Sequence, residues 1–148
     1  MNAWQFPLQP LLDQSAHAEA LERERFDRLS AELRRAQADC AALERAFDAS
    51  TAAVRVADLD SRALRMQYGC SEQIVSKIAE SRRRLESCVR AARAAGEQLA
   101  RARSLRKSLE ALKLRQLQRR AKSEERFEER ELDEGNANRM SPPTRVTG

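Results

Sequence analysis

Residues 26–68 read FDRLSAELRRAQADCAALERAFDASTAAVRVADLDSRALRMQY, and this stretch contains neither proline nor glycine. Apolar or small side chains recur in it every three or four positions, which is the 3.5-residue repeat of a coiled-coil seam. One series of seam positions is Phe26, Leu33, Cys40, Phe47, Val54, Ser61 and Tyr68, and the other is Leu29, Ala36, Leu43, Ser50, Ala57 and Leu64. So narrow a stripe can be buried only against a second helix that carries a similar stripe.

A second stripe follows in the same chain. It comprises Ile74, Ile78, Ser81, Leu85, Cys88, Ala92, Ala95, Leu99 and Ala102, and continues in a broader leucine face at Leu105, Leu109, Leu112 and Leu117. Because one chain supplies both stripes, the sequence predicts an all-α fold, an elongated antiparallel two-helix coiled-coil hairpin. The composition agrees, since 34% of the residues are charged and only 4% are aromatic, too few for a thick globular core.

Capping and turn residues predict where the two helices begin and end. We expect one domain over residues 1–134, with helix 1 at about 10–57, a turn within 58–71, helix 2 at about 72–134 and a flexible tail at 135–148. Two turn positions compete: Asp60 or Ser61 could cap helix 2, or Gly69 could end helix 1 before a cap at Ser71. Gly135 should stop helix 2.

The predicted second helix is longer than the first, so its last turns should project beyond the paired region. At about 1.5 Å per residue, a helix of some 60 residues is about 90 Å long. Gly96 lies within it, and we interpret this glycine as a place where the two helices approach closely.

Charge is distributed unevenly along the chain. Residues 1–61 hold seven arginines against eleven acidic residues, residues 82–120 hold thirteen basic against three acidic residues, and residues 122–134 hold three basic against seven acidic residues. The two arms should therefore attract each other, and the remaining basic charge is either a solvated face or a docking surface for an acidic protein. Nucleic acid is less favoured as a partner, because the basic segment has no stacking aromatic residues.

The sequence offers no catalytic site, cofactor site or metal site. Carboxylate pairs such as Glu124 and Glu125 lie in an exposed helical charge run, where nothing would separate their pKa values. His17 is the only histidine, and the cysteines Cys40, Cys70 and Cys88 are far apart. We expect Cys40 and Cys88 to lie in the seam and Cys70 to be exposed. We expect no secretory signal, since Met1 to Pro10 lacks a basic start and a cleavage site. No apolar run reaches the roughly 20 residues of a membrane span.

The two ends of the chain resemble a known family. Three features are similar to those of the FliJ/YscO family: the opening Phe6-Pro7-Leu8-Gln9-Pro10-Leu11-Leu12-Asp13, the long Ala/Glu/Arg heptad hairpin, and the C-terminal stretch from Arg106-Lys107-Ser108-Leu109-Glu110 to Arg126-Phe127-Glu128-Glu129-Arg130-Glu131-Leu132-Asp133-Glu134. These are stalk proteins of flagellar and injectisome type III secretion systems. The resemblance implies a non-catalytic coiled-coil stalk, similar to the gamma stalk of rotary ATP synthases.

The resemblance also implies partners. The end that carries both termini would insert into the hexameric export ATPase and stimulate it, through Leu8, Leu11, Leu12, Phe127, Arg130, Glu131 and Leu132. The other end would contact the cytoplasmic domain of the membrane export gate, through Met66, Tyr68, Ile74 and Ile78, although Gly69 and Cys70 stand where a bulkier residue is usual. Tyr68 and Ile74 also suit the seam, which we favour for them.

Export chaperones are further partners in the family, a small-molecule substrate is not expected, and the location would be cytoplasmic, at the inner face of the bacterial inner membrane without insertion into it. Two alternatives stay open, a basic coiled coil that binds nucleic acid and a homo-oligomeric coiled coil whose seam closes between chains.

Overall fold

The computed structural model describes residues 3–56 and 60–140. These residues form two helices, α1 (Gln9–Val56) and α2 (Ser61–Met140), which pack against each other. Their 48 and 80 residues correspond to lengths of about 72 Å and about 120 Å. The described residues contain no strand, and the predicted all-α hairpin is confirmed.

Contacts between the helices establish their antiparallel course. The Nζ atom of Lys113 lies 2.8 Å from Oε1 of Gln9, Arg103 contacts Glu19, and Nη2 of Arg82 lies 3.0 Å from Oε1 of Glu44. As the residue number rises along α1, the number of its partner falls along α2. The chain therefore closes its seam on itself, in contrast to the homo-oligomeric alternative.

The seam follows the predicted repeat over most of its length. On α1 every predicted position from Phe26 to Val54 is buried or half-buried, and so is every α2 position from Ile74 to Ala102. The buried apolar side chains within these spans are Ala36, Cys40, Ile78, Ala92, Ala95 and Leu99. Small residues predominate among them, which lets the two backbones come close.

Three observations agree with the sequence predictions and one does not. Cys40 is buried, Cys88 is half-buried and Cys70 is exposed, as expected. The broad leucine face is wrong in part, because Leu109 and Leu112 lie in the seam region whereas Leu105 and Leu117 are exposed. A 3.5-residue repeat buries one narrow stripe, and these two leucines lie outside it.

Asp60 determines where α2 begins. Its Oδ1 atom accepts a hydrogen bond from the backbone N–H of Ala63 at 2.7 Å, and its carbonyl oxygen accepts one from Leu64 at 2.9 Å. This is an N-cap, and α2 accordingly begins at Ser61 rather than near residue 72. Gly69 is helical and has no positive φ, so it does not end a helix. Of the predicted seam positions, Ala57 falls outside the described residues.

The early turn resets the seam and exposes Tyr68. Beyond the turn the half-buried positions up to Ile74 are Ala63, Leu64, Gln67, Ser71 and Ile74, so the register of α1 does not continue to Tyr68. Tyr68 is 64% exposed, and the preference for a seam position was wrong for it. Ile74 does lie in the seam, half-buried.

The other end of α2 also differs from the predicted boundary. Residues 135–140 continue the helix, because Gly135 keeps a negative φ and costs a helix only about 1 kcal/mol relative to alanine. The rest of the predicted tail, residues 141–148, lies outside the described residues. From Leu117 to Met140 every residue is exposed, and we call this segment, about 36 Å long, the overhang.

Gly96 lies where the helices approach closely, as interpreted from the sequence. A Cβ atom on this residue would lie 3.3 Å from Cε2 of Phe26. The absence of a side chain at Gly96 therefore makes room for the aromatic ring on α1.

The seam predicts unequal effects of two leucine substitutions on α2. Leu99 is 8% exposed and Leu105 is 52% exposed. We expect Leu99→Ala to lower the free energy of unfolding by about 2 to 3 kcal/mol, since it leaves a cavity in the seam. Leu105→Ala, the matched control, should change it by less than about 0.5 kcal/mol. Urea unfolding followed by circular dichroism measures both, and equal losses would contradict the assigned seam.

Candidate functional site

Residues 3–8, which we call the lead, precede α1 and fold onto the base of the overhang. Phe6 is only 4% exposed, and its ring centroid lies 6.2 Å from that of Trp4. The guanidinium carbon of Arg120 lies 5.8 Å from the Trp4 ring centroid, within the range of a cation–π contact. The lead thus attaches the start of α1 to α2 beyond the last helix-to-helix contacts.

A buried carboxylate holds the helices together near the termini. Glu19, 7% exposed, accepts hydrogen bonds from Arg106 and from Nε of Arg103, the latter at 3.4 Å. Arg106 also donates to Glu110 at 2.9 Å. The hydrogen bonds from Arg106 and Arg103 lower the pKa of Glu19 below its ordinary value, although burial acts in the opposite direction. Glu19 likewise raises the pKa of Arg106.

Further ion pairs along the flanks agree with the predicted attraction between the arms. Arg82 pairs with Glu44 at 3.0 Å, and Arg84 approaches Asp39 at 4.0 Å. The hydrogen bond to Glu44 raises the pKa of Arg82. Both pairs are exposed, so each contributes little to stability and mainly favours one register of the two helices.

The residues predicted to face an ATPase ring fall into two groups along the rod. Leu8, just before α1, and Leu11, in its first turn, are exposed, whereas Leu12 is buried in the seam. Phe127, Arg130, Glu131 and Leu132 are all exposed on the overhang. Since Gln9 contacts Lys113, Phe127 lies about 21 Å further along the axis, and the two groups do not form one patch.

The opposite end of the hairpin carries an apolar cleft between the two helices. Its volume is about 310 Å³, and it is lined by Phe47, Thr51, Val54, Arg55, Leu64, Gln67, Tyr68 and Ser71. Of the residues predicted for gate contact, Tyr68 lines this cleft and Met66 is exposed nearby. Ile74 is half-buried and Ile78 is buried in the seam, so they support this end rather than form its surface.

The sequence analysis missed the part of the seam that lies nearest the termini. The seam was followed back only to Phe26, but the same repeat extended by sevens reaches Glu19 and Leu12 on one series and Glu22 and Ser15 on the other. All four are buried or half-buried, and the Oε2 atom of Glu22 has no hydrogen-bond partner. Polar residues at these positions concealed the pattern. The α1 side of the cleft gave no separate signal, because Phe47 and Val54 are ordinary seam residues.

The described residues contain no cluster of His, Cys, Asp or Glu that could hold a metal ion. Within the same part of the chain, neither helix has a stretch apolar and long enough to cross a lipid bilayer. The surfaces of the molecule are two ends and a charged flank, a geometry suited to contacts with other proteins.

These features define a class, a two-helix coiled-coil stalk with one helix extended past its partner. The sequence matches the family described as Flagellar FliJ protein over residues 5–142, and the chain belongs to that family. Members are non-catalytic, cytoplasmic components of the flagellar and type III protein export machinery. No curated protein and no solved structure matches the chain.

The lowered pKa of Glu19 predicts a pH dependence. A carboxylate whose pKa is lower in the folded state stabilises the fold above its unfolded pKa of about 4.3, and this contribution is lost as the pH falls through the folded pKa. We therefore expect Glu19→Gln to melt at a lower temperature than the unsubstituted chain at neutral pH, with the difference narrowing in acid.

Glu24→Gln is the matched control, since Glu24 is exposed on the same helix and pairs with no other described residue. Melting curves recorded across the acidic range measure the effect. A Glu19→Gln curve parallel to that of the control at every pH would refute the stabilising role of this carboxylate.

Proposed function

We propose that this protein is the central stalk of a flagellar type III export apparatus, whose terminal end enters and stimulates the export ATPase hexamer while its loop end contacts the cytoplasmic domain of the membrane export gate. The family match supports the apparatus, and the two separate ends support the division of roles. This activity would place the protein at the cytoplasmic face of the inner membrane. Export chaperones are further candidate partners.

The overhang is the main observation that supports binding to the export ATPase. Beyond Leu117 a single helix about 10–12 Å across continues to Met140, whereas the rest of the rod is two helices wide. A single helix can enter a ring whose opening would exclude the paired region. Phe127 and Leu132 are 62% and 67% exposed, so both of these apolar side chains on the overhang are open to contact with a partner.

The rest of the rod suits the transmission of a signal between the ends. Cross-helix contacts run from Gln9 with Lys113 to Ser50 with Gln67, so the helices are joined at both extremes of the paired region. A rod joined in this way resists sliding of one helix past the other. A change at the overhang can therefore reach the loop end as a movement of the whole hairpin.

The loop end offers a different chemistry from the overhang. Its cleft is lined by the apolar side chains Phe47, Val54 and Leu64 and by Tyr68, which is 64% exposed, and Arg55 also lines it. Tyrosine is a frequent anchor in protein interfaces, since it combines a large apolar ring with a hydroxyl group. We infer that the gate contact uses Tyr68 and Met66 on α2 together with the α1 side of the cleft.

Substitutions at the overhang should separate the two roles. We expect Phe127→Ala with Leu132→Ala to weaken binding to the purified export ATPase hexamer by about ten-fold, which is about 1.4 kcal/mol, and to reduce the stimulation of ATP hydrolysis in step. Tyr68→Ala serves as the control at the other end and should leave both unchanged. Binding by interferometry and phosphate release measure these effects. An unsubstituted chain that neither binds nor stimulates the hexamer would exclude this role.

The reciprocal experiment tests the loop end. Tyr68→Ala should weaken binding to the purified cytoplasmic domain of the export gate by about ten-fold, because it removes the exposed aromatic side chain of the cleft. Here the overhang variant is the control and should bind normally. If both variants bind the gate equally well, the cleft is not the contact.

A further inference from the structure

Four cationic side chains lie in one line on the outer part of α2. Arg119, Lys122, Arg126 and Arg130 follow one another at intervals of three or four residues, which places them on the same side of a helix. We call them the cationic row. With Ser123 and Phe127 they line a shallow groove of about 480 Å³.

Carboxylates lie near the cationic row, but the row forms no ion pair with them among the described residues. Within the described residues none of its four members forms an ion pair, whereas Arg120, just outside the row, pairs with Glu124 at 3.3 Å. Like charges three or four residues apart destabilise a helix. Carboxylates three residues further on, Glu125 after Lys122 and Glu129 after Arg126, offset part of this repulsion, and an external anion that lay along the row would offset more of it.

Carboxylates limit the length and width of the cationic row. Glu124, Glu128 and Glu131 lie on the opposite side of the helix, Glu125 and Glu129 border one edge of the row, and Asp133 follows its last member. From Arg119 to Arg130 the row extends about 17 Å. A continuous phosphate backbone would meet this negative border, so a short anion fits better than a nucleic acid.

Phe127 borders the other edge of the cationic row. Its ring is 62% exposed and lines the same groove as the four cations. An apolar ring next to positive charge matches a ligand that presents an apolar side chain among carboxylates. An acidic peptide segment has both features, whereas a bare polyanion has only one.

We propose that the cationic row, together with Phe127, docks a short acidic peptide segment that carries an apolar side chain, and that this segment belongs to the protein that the overhang enters. The identity of the protein that supplies this segment rests on the proposed function, whereas the binding of an acidic segment by the row does not. The contact would orient the overhang, since only one side of the helix attracts an acidic segment while the opposite side repels it.

The test compares two full-length triple variants of equal net charge. Arg119→Gln with Lys122→Gln and Arg126→Gln removes most of the row. The control variant removes three exposed cations elsewhere on α2 that form no ion pair among the described residues, through Arg83→Gln, Arg90→Gln and Lys107→Gln. Glutamine is a good helix former, so both variants should keep the helicity of the unsubstituted chain.

The first probe is a synthetic peptide, Glu-Glu-Leu-Glu-Glu, immobilised on a sensor surface. We expect the row variant to bind it about ten-fold more weakly than the control, and the unsubstituted chain to prefer it to Glu-Glu-Gly-Glu-Glu. Equal binding of the two triple variants would overturn the proposal. So would tighter binding of a DNA duplex than of the peptide at physiological salt, if the row variant lost that binding.

The second probe is the purified export ATPase hexamer. A ten-fold loss confined to the row variant supports the docking of an acidic segment of the ring. If the unsubstituted chain binds the hexamer and both triple variants bind alike, the row proposal fails while the proposed function stands. If the unsubstituted chain binds the peptide but not the hexamer, the proposed function fails while the preference of the row for acidic peptides stands.

Discussion

A seam that repeats every 3.5 residues is the constraint on which the rest of the molecule depends. Neither helix has a second apolar face, so each can leave water only against the other, and only in a register that brings the two stripes together. Small residues such as Ala36, Ala92 and Ala95 bring the backbones close, and Gly96 admits the ring of Phe26 between them. The ends of the rod are positioned by this register, which the flanking ion pairs and the lead reinforce.

The chemistry of the seam changes along its length. From Phe26 towards the turn its polar members are uncharged, whereas towards the termini it includes Ser15, Glu19 and Glu22, with Arg106 and Lys113 opposite. Buried ion pairs add less net stability than apolar packing, because desolvation offsets their attraction, but they penalise any shift that separates the charges. The terminal part of the hairpin is therefore specified by charge, and the loop part is held mainly by burial.

Local sequence predicted the hairpin, the seam and the close approach at Gly96, because periodicity and residue size act over a few turns of helix. It did not give the position of the turn. Asp60 and Gly69 both offered plausible boundaries, and only the cap at Asp60 is used. The choice depends on which register lets α2 return along α1, a property of the whole hairpin. The same cause exposed Tyr68, and the cleft beside it arises only when Phe47 and Leu64 meet across the turn.

The overhang follows from the unequal lengths of the two helices. Once Gln9 is matched to Lys113, α1 has no further residues to cover α2, and the lead extends the contact only as far as Arg120. The remaining helix must be stable without a partner, which explains its high content of Glu, Arg and Lys and the scarcity of large apolar residues. Phe127 and Leu132 are exceptions to that rule, and the cations from Arg119 to Arg130 lie along one side of the helix without an ion pair among the described residues. A surface that binds another protein accounts for both features together.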